Sequence, residues 1–153
     1  MSRRRVVVTG LGCISPVGNT VDESWASLLA GKSGIDLITK FDASTFNCKI
    51  AAEVKGFDVG AYIGPKEART MDSFIHFGIA AASQAVADAG LLTGDALDYE
   101  SATRIGCVIG SGIGGVPMIE TTYADFMQRG ARRISPFFVP STIVNMIAGH
   151  VSI

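Results

Sequence analysis

Three glycines in the stretch RIGCVIGSGIGG (residues 104–115) are spaced in a way that can do chemistry: Gly110, Gly112 and Gly115 spell G-x-G-x-x-G. Between a buried strand and a helix, that spacing aims backbone amides at a pyrophosphate. The flanks agree, with Ile105, Cys107, Val108 and Ile109 reading as a buried strand and a helix expected from Val116. The rest of such a site does not follow. It needs an acidic residue at the end of a second strand, to hold the ribose. Here the helix leads into SPFFVPST, and Asp125 falls inside the helix. A second near-match, Gly10-Leu11-Gly12, has Ser15 at the third glycine position. Glycine for close backbone packing is the stronger reading, with a dinucleotide-binding domain kept as an alternative.

Other chemistries have less support. Of the two histidines, His76 and His150, His76 stands four after Asp72, as a helix-surface pair does more often than a catalytic base. Ser111 is not in a G-x-S-x-G elbow, because Ile109 occupies the position two before it. Cys13, Cys48 and Cys107 have no metal-ligand spacing, and an odd count is no disulfide framework. None is expected at a helix start or beside a cation, where a thiolate would be stabilised, so all three read as structural, reduced thiols. Lys66 and Arg69 lie one helical turn apart, with Arg129, Arg132 and Arg133 elsewhere. A few exposed bases are usually a solvated face and hint only at an acidic partner. Spacing alone therefore gives no catalytic set, no metal site and no cofactor.

The elements that must position these residues follow from periodicity. Residues 6–12, VVVTGLG, read as a first strand closed by glycine. Thr20 and Glu23 form a capping box for a helix from Val21, with Trp25, Leu28 and Leu29 on one face and Gly31 as the stop. Residues 32–64 are loop-rich, with a weak strand at 49–54. Pro65 starts a short helix carrying Lys66, Glu67 and Arg69. Asp72 is the expected N-cap of the strongest helix, residues 73–89, whose stripe Phe74, Phe77, Gly78, Ala81, Ala85 and Ala89 lets another element approach closely. Gly90 ends it, and residues 91–102 read as an acidic surface loop. After the glycine turn, residues 116–129 form a helix with Ile119, Tyr123, Phe126 and Met127 on one face and Gly130 as the stop. The two prolines of SPFFVPST predict an extended, stiff segment. Ser141 or Thr142 then caps a helix through Ile143, Val144, Met146 and Ile147 that closes at Gly149.

The bulk numbers place this in the α/β class. At 153 residues the length fits one domain or a piece of a larger one, and 48% hydrophobic against 18% charged residues is core-like. That is apolar for a self-contained domain of this size, so some of the surface is expected to face a partner subunit or further chain. The net charge of −1 gives no reason to expect nucleic acid. No apolar run is long enough for a signal peptide or a membrane span, and a cytoplasmic protein is the expectation.

Three phrases then carry a resemblance: VVVTGLGCISPVGNT (residues 6–20), RIGCVIGSGIGG, and ISPFFVPSTIVNMIAGH (residues 134–150). Together they resemble the β-ketoacyl-acyl-carrier-protein synthases, and GSGIGG with FFVPST is closer to the type II elongating synthases than to type I. The resemblance covers essentially the whole chain. It implies a thiolase-like fold, layered α-β-α-β-α, in a homodimer, with residues 1–153 an incomplete N-terminal half. It implies fatty-acid elongation: an acyl chain passes from acyl carrier protein to a cysteine, then condenses with malonyl-carrier protein as carbon dioxide leaves.

The resemblance implies no catalytic residue here, since the chain ends in the first half, before the strand and helix that carry the family's cysteine, and the histidine pair comes from the second half. The chain alone is therefore expected to be inactive. Ile113 matches the residue that lines and gates the acyl pocket. Phe138 matches the aromatic that closes the partner subunit's pocket. Lys66 and Arg69 match the carrier-docking patch, while Thr70 stands where relatives are often basic. No cofactor, metal, nucleic acid or membrane is implied. A non-catalytic module for carrier binding or oligomerisation is the alternative of another class.

Overall fold

The computed structural model describes residues 3–91 and 99–153. The chain forms two compact units, Met1–Phe57 with Ser83–Leu91, and Asp58–Ala82 with Leu92–Ile153.

In the first unit, local chemistry sets α1 (Val21–Leu29): the Thr20 hydroxyl accepts from the Glu23 amide, and the Glu23 carboxylate accepts from the Asn19 amide. Gly31, at φ +64°, follows the helix in the left-handed region glycine tolerates. The helix docks through Ser24, whose hydroxyl meets that of Ser15 and the carbonyl of Gly18, while Trp25, Leu28 and Leu29 are exposed. Two three-residue strands, β1 (Ile35–Leu37) and β2 (Ile50–Ala52), pair antiparallel with Asp36 opposite Ala51. The expected weak strand is thus real, but its partner is local. Gly10 lies against helix α3 (Ser73–Asp88), where an added Cβ would stand 2.2 Å from the Ala85 carbonyl oxygen. Beside it the Leu11 amide donates to Asp88 and the Cys13 amide to Gln84. The small-residue stripe of α3 permits this approach.

The second unit holds the core: Ile63, Met71, Ile75 and Ile147, with Phe74, Ile79, Ile109 and Met146 packed on it. Its elements are α2 (Pro65–Ala68), the first part of α3, α4 (Tyr99–Ala102), α5 (Val116–Arg129), α6 (Phe138–Thr142) and α7 (Met146–Ser152). Ile147 of α7 fills the notch at Gly78, where an added Cβ would stand 2.4 Å from its Cγ2.

Several expectations are corrected. Residues 6–12 and 105–109 form no ladder with any described residue, and Val6 and Val108 are 93% and 99% exposed. A strand buried in a parallel sheet is apolar on both faces because neighbours cover both; these runs record burial that the described residues do not supply. Only one side of the second run is used, Ile109 lying on the core while Val108 is open. SPFFVPST is not extended throughout, since residues 138–142 are helical. Pro140 sits in the first turn, where a missing N–H leaves no helical bond unmade. Ser141 and Thr142 lie within α6 rather than capping the next helix, their hydroxyls donating to the Phe138 carbonyl. Helix α7 begins after Asn145 and runs through Gly149. The acidic loop expected at 91–102 lies largely outside the described residues, and its end is α4.

Candidate functional site

The glycine turn is built from its downstream end. Helix α5 starts at Val116, and the donors around that start are all committed. The Gly115 amide donates to the Thr142 carbonyl at 3.0 Å, and the Val116 amide to the Gly114 carbonyl at 3.0 Å. Pro117 has no N–H. The Met118 amide donates to Oδ2 of Asp72 at 2.8 Å, and the Ile119 amide to the Gly115 carbonyl at 3.0 Å. A pyrophosphate needs several free amides at such a helix start. Here an acidic side chain already takes the anion's place, so this is no dinucleotide cradle.

Asp72 is 5% exposed. Its Oδ1 accepts from the Ser73 amide and, at 3.0 Å, from the Ser73 hydroxyl. One carboxylate therefore serves the N-termini of α3 and α5, where the helix dipoles favour negative charge. The expected N-cap of α3 is present, but its second role, across 46 residues of sequence, has no local signature. A shallow hollow of about 290 Å³ borders Asp72, Ser73, Pro117 and Met118, but Asp72, its acid, is already engaged with both helices.

Steric limits divide the turn. Gly114 has φ +89°, and an added Cβ would stand 2.2 Å from the Thr142 carbonyl oxygen. At Gly115 it would stand 2.9 Å from Oδ2 of Asp72 and 3.0 Å from the Ser141 oxygen. At Gly110 and Gly112 it would meet nothing within 4 Å. The turn is clamped at 114–115 and open at 110–112. Between lies Ile113, 77% exposed.

The Thr142 carbonyl that receives Gly115 belongs to α6, and the Thr142 hydroxyl donates to the Phe138 carbonyl at 3.0 Å. Ile113 and Phe138 thus stand on segments joined by one backbone hydrogen bond, with Phe138 half-buried. Lys66 and Arg69 lie at α2, both exposed, and among the described residues neither is in an ion pair.

The remaining candidates are structural. His76 does not pair with Asp72; its Nε2 lies 2.9 Å from the Ala68 carbonyl, tying α3 to α2. The cysteines are free, with Cys13 and Cys107 half-buried and Cys48 exposed. Among the described residues no group of three His, Cys, Asp or Glu side chains could hold a metal, and no helix is long and apolar enough to cross a membrane. The displaced carboxylates are in the first unit. The hydrogen-bonded Lys55 ammonium holds Asp36 below its usual range, the Thr39 hydroxyl does the same for Glu53, and the Ser44 amide for Asp42. They brace a loop rather than form a site.

Comparison with known proteins agrees with the three phrases. Residues 3–153 match the model of the β-ketoacyl synthase N-terminal domain. The chain is 57% identical over 153 residues to 3-oxoacyl-[acyl-carrier-protein] synthase 2 of Vibrio cholerae, covering all of this chain and 36% of that protein. It is 50% identical to the protein of the same name from Coxiella burnetii, again over 36% of its length. The chain thus spans about a third of these relatives. Among solved structures, the ishigamide ketosynthase/chain length factor is similar with a TM-score of 0.78 at 28% identity, over 99% of this chain and 37% of that one. AntDE:AntF, a type II PKS acyl-carrier protein in complex with its ketosynthase bound to the hexaketide, is similar with a TM-score of 0.76 at 28% identity, over 99% of this chain and 40% of that one. The fold is therefore that of the thiolase-like ketosynthases, of which this chain carries the N-terminal portion.

Proposed function

The chain belongs to the β-ketoacyl synthase family through that family's N-terminal domain, and from this we propose that it serves in a 3-oxoacyl-acyl-carrier-protein synthase of fatty-acid elongation. The reaction is the decarboxylative condensation of an acyl-enzyme with malonyl-carrier protein, after acyl transfer to a cysteine. The observation that carries the proposal is identity of 57% across the whole chain to a synthase of that name. This chain supplies one wall of the acyl pocket through Ile113. It supplies part of the dimer surface through Phe138, which closes the partner subunit's pocket. Lys66 and Arg69, exposed and in no ion pair among the described residues, form part of the face that receives the acidic carrier protein in the cytoplasm. A neighbour solved as a ketosynthase in complex with an acyl-carrier protein supports that partner. The side chain of Ile113 is free to turn while its backbone is clamped two residues on, as a gate for chains of varied length requires.

The test is condensation by the full-length enzyme, with acyl- and malonyl-carrier protein as substrates. Product is expected from it, and none from the isolated 153-residue chain, which has no residue matching the family's cysteine or histidine pair. Reversing the charge of both Lys66 and Arg69 should raise KM for the carrier protein about tenfold at low salt and less at high salt. If the full-length protein binds carrier protein saturably yet makes no product, it is instead a carrier-binding module.

A further inference from the structure

We propose that Asp72 is a positioning residue for acyl-chain length: by pinning the end of the 110–115 turn, it sets how far Ile113 can swing. The inference rests on Ile113 lining the acyl pocket. Asp72 is remote from Ile113 in sequence and acts through the backbone. Its carboxylate holds the Met118 amide at 2.8 Å and the amide and hydroxyl of Ser73. It thereby fixes the start of α5 against the start of α3. Gly115, the residue before α5, lies against that carboxylate and donates to the Thr142 carbonyl.

Beyond Ile109, which packs on the core just before the turn, the contacts that fix the turn lie downstream of Ile113. Upstream, Gly110 and Gly112 have open space beside them. A turn held by Ile109 before it and clamped at 114–115 after it can yield only between them, and how far it yields at Ile113 depends on the stiffness of the clamp. Asp72 is the charged side chain in that clamp; the Ser141 and Thr142 oxygens are backbone, and the Val144 side chain beside Gly114 is apolar. The carboxylate matters for its two acceptors as well as for its volume. Asparagine fills the same space but turns an amide group toward one of the two helix starts, where donors already point.

Loosening the clamp should let Ile113 retreat more readily, so long chains gain over short ones. The experiment uses the full-length enzyme and compares kcat/KM for palmitoyl- and octanoyl-carrier protein in three forms: wild type, Asp72→Asn and Ile113→Phe. Loss of one charge-assisted hydrogen bond should raise the palmitoyl-to-octanoyl ratio of Asp72→Asn about fivefold or more. Exchange of the Met118 amide should quicken about tenfold while that of α7 stays unchanged. Ile113→Phe, which fills the pocket, should lower the ratio.

If Ile113→Phe lowers the ratio but Asp72→Asn slows both substrates equally or neither, Asp72 is only structural and the inference is overturned while the pocket reading stands. If Ile113→Phe leaves the ratio unmoved, the pocket reading fails and the inference with it. Should Asp72→Asn not fold, Ser73→Ala removes one bond to the same carboxylate and is expected to shift the ratio about twofold in the same direction; an unshifted ratio then overturns the proposal.

Discussion

Replacing Gly114 by alanine should damage the protein far more than the same change two residues earlier. At Gly114 the backbone has φ +89°, and a residue with a Cβ held in the left-handed region is disfavoured by about 1–2 kcal/mol. The new Cβ would also stand 2.2 Å from the Thr142 carbonyl oxygen, where contact normally begins near 3.4 Å. That oxygen is backbone and already receives the Gly115 amide, so relief means shifting α6 or breaking the bond. Overpacking of this kind adds about 1–3 kcal/mol. The sum, about 3 kcal/mol, is roughly a hundredfold in the folding equilibrium. At Gly112 an added methyl meets nothing within 4 Å, and alanine there restricts the unfolded chain, for an effect between neutral and about 1 kcal/mol of stabilisation. Thermal and urea unfolding of full-length Gly112→Ala and Gly114→Ala separate the cases. Equal Tm values for the two variants would refute the division of the turn into a clamped and an open end.

Two further outcomes follow from the packing and the charges. Gly78→Ala should destabilise by about 1–3 kcal/mol, because its Cβ would collide with Ile147; Ile147→Ala in the same chain should recover part of that loss, and purely additive denaturation midpoints would contradict the contact. Glu53, whose carboxylate accepts from the Thr39 hydroxyl and amide, titrates below its usual value of 4.5. Its bracing of the β1–β2 loop is therefore present above that value and fades as pH falls through the lower, folded-state one. A carboxyl titration by NMR should show Thr39→Val moving Glu53 back up; an unchanged midpoint would contradict the hydroxyl's role.

What could be read from residue order was mostly local. Thr20 with Glu23, Gly31, Gly90 and Gly130 mark helix ends because capping is settled within a turn or two of chain. Residues 105–109 show the reverse. Their apolar run carries the signature of a two-sided buried strand, yet a ladder needs a distant partner, which the described residues do not include. SPFFVPST misleads because proline is hostile to a helix interior but not to its first turn, where Pro140 sits. Helix α7 has no side-chain cap at Asn145 to announce it. In the candidate site, the residue types were legible and their juxtaposition was not. Nothing near Asp72 in sequence says that it also holds Met118, or that Gly115 is glycine because that carboxylate lies beside it. The wrong reading of the glycines had the right local grammar, and what removes it is the commitment of each amide at the start of α5.

The most direct measurement concerns Ile113 itself. The full-length enzyme is loaded with a long acyl chain bearing a terminal diazirine, irradiated and digested, and the labelled peptides are sequenced. Insertion at residues 110–115, joined by insertion at Phe138 of the neighbouring subunit with longer chains, is the expected result. Labels that never fall on residues 110–115, at any chain length, would contradict the assignment of this turn as a wall of the acyl pocket.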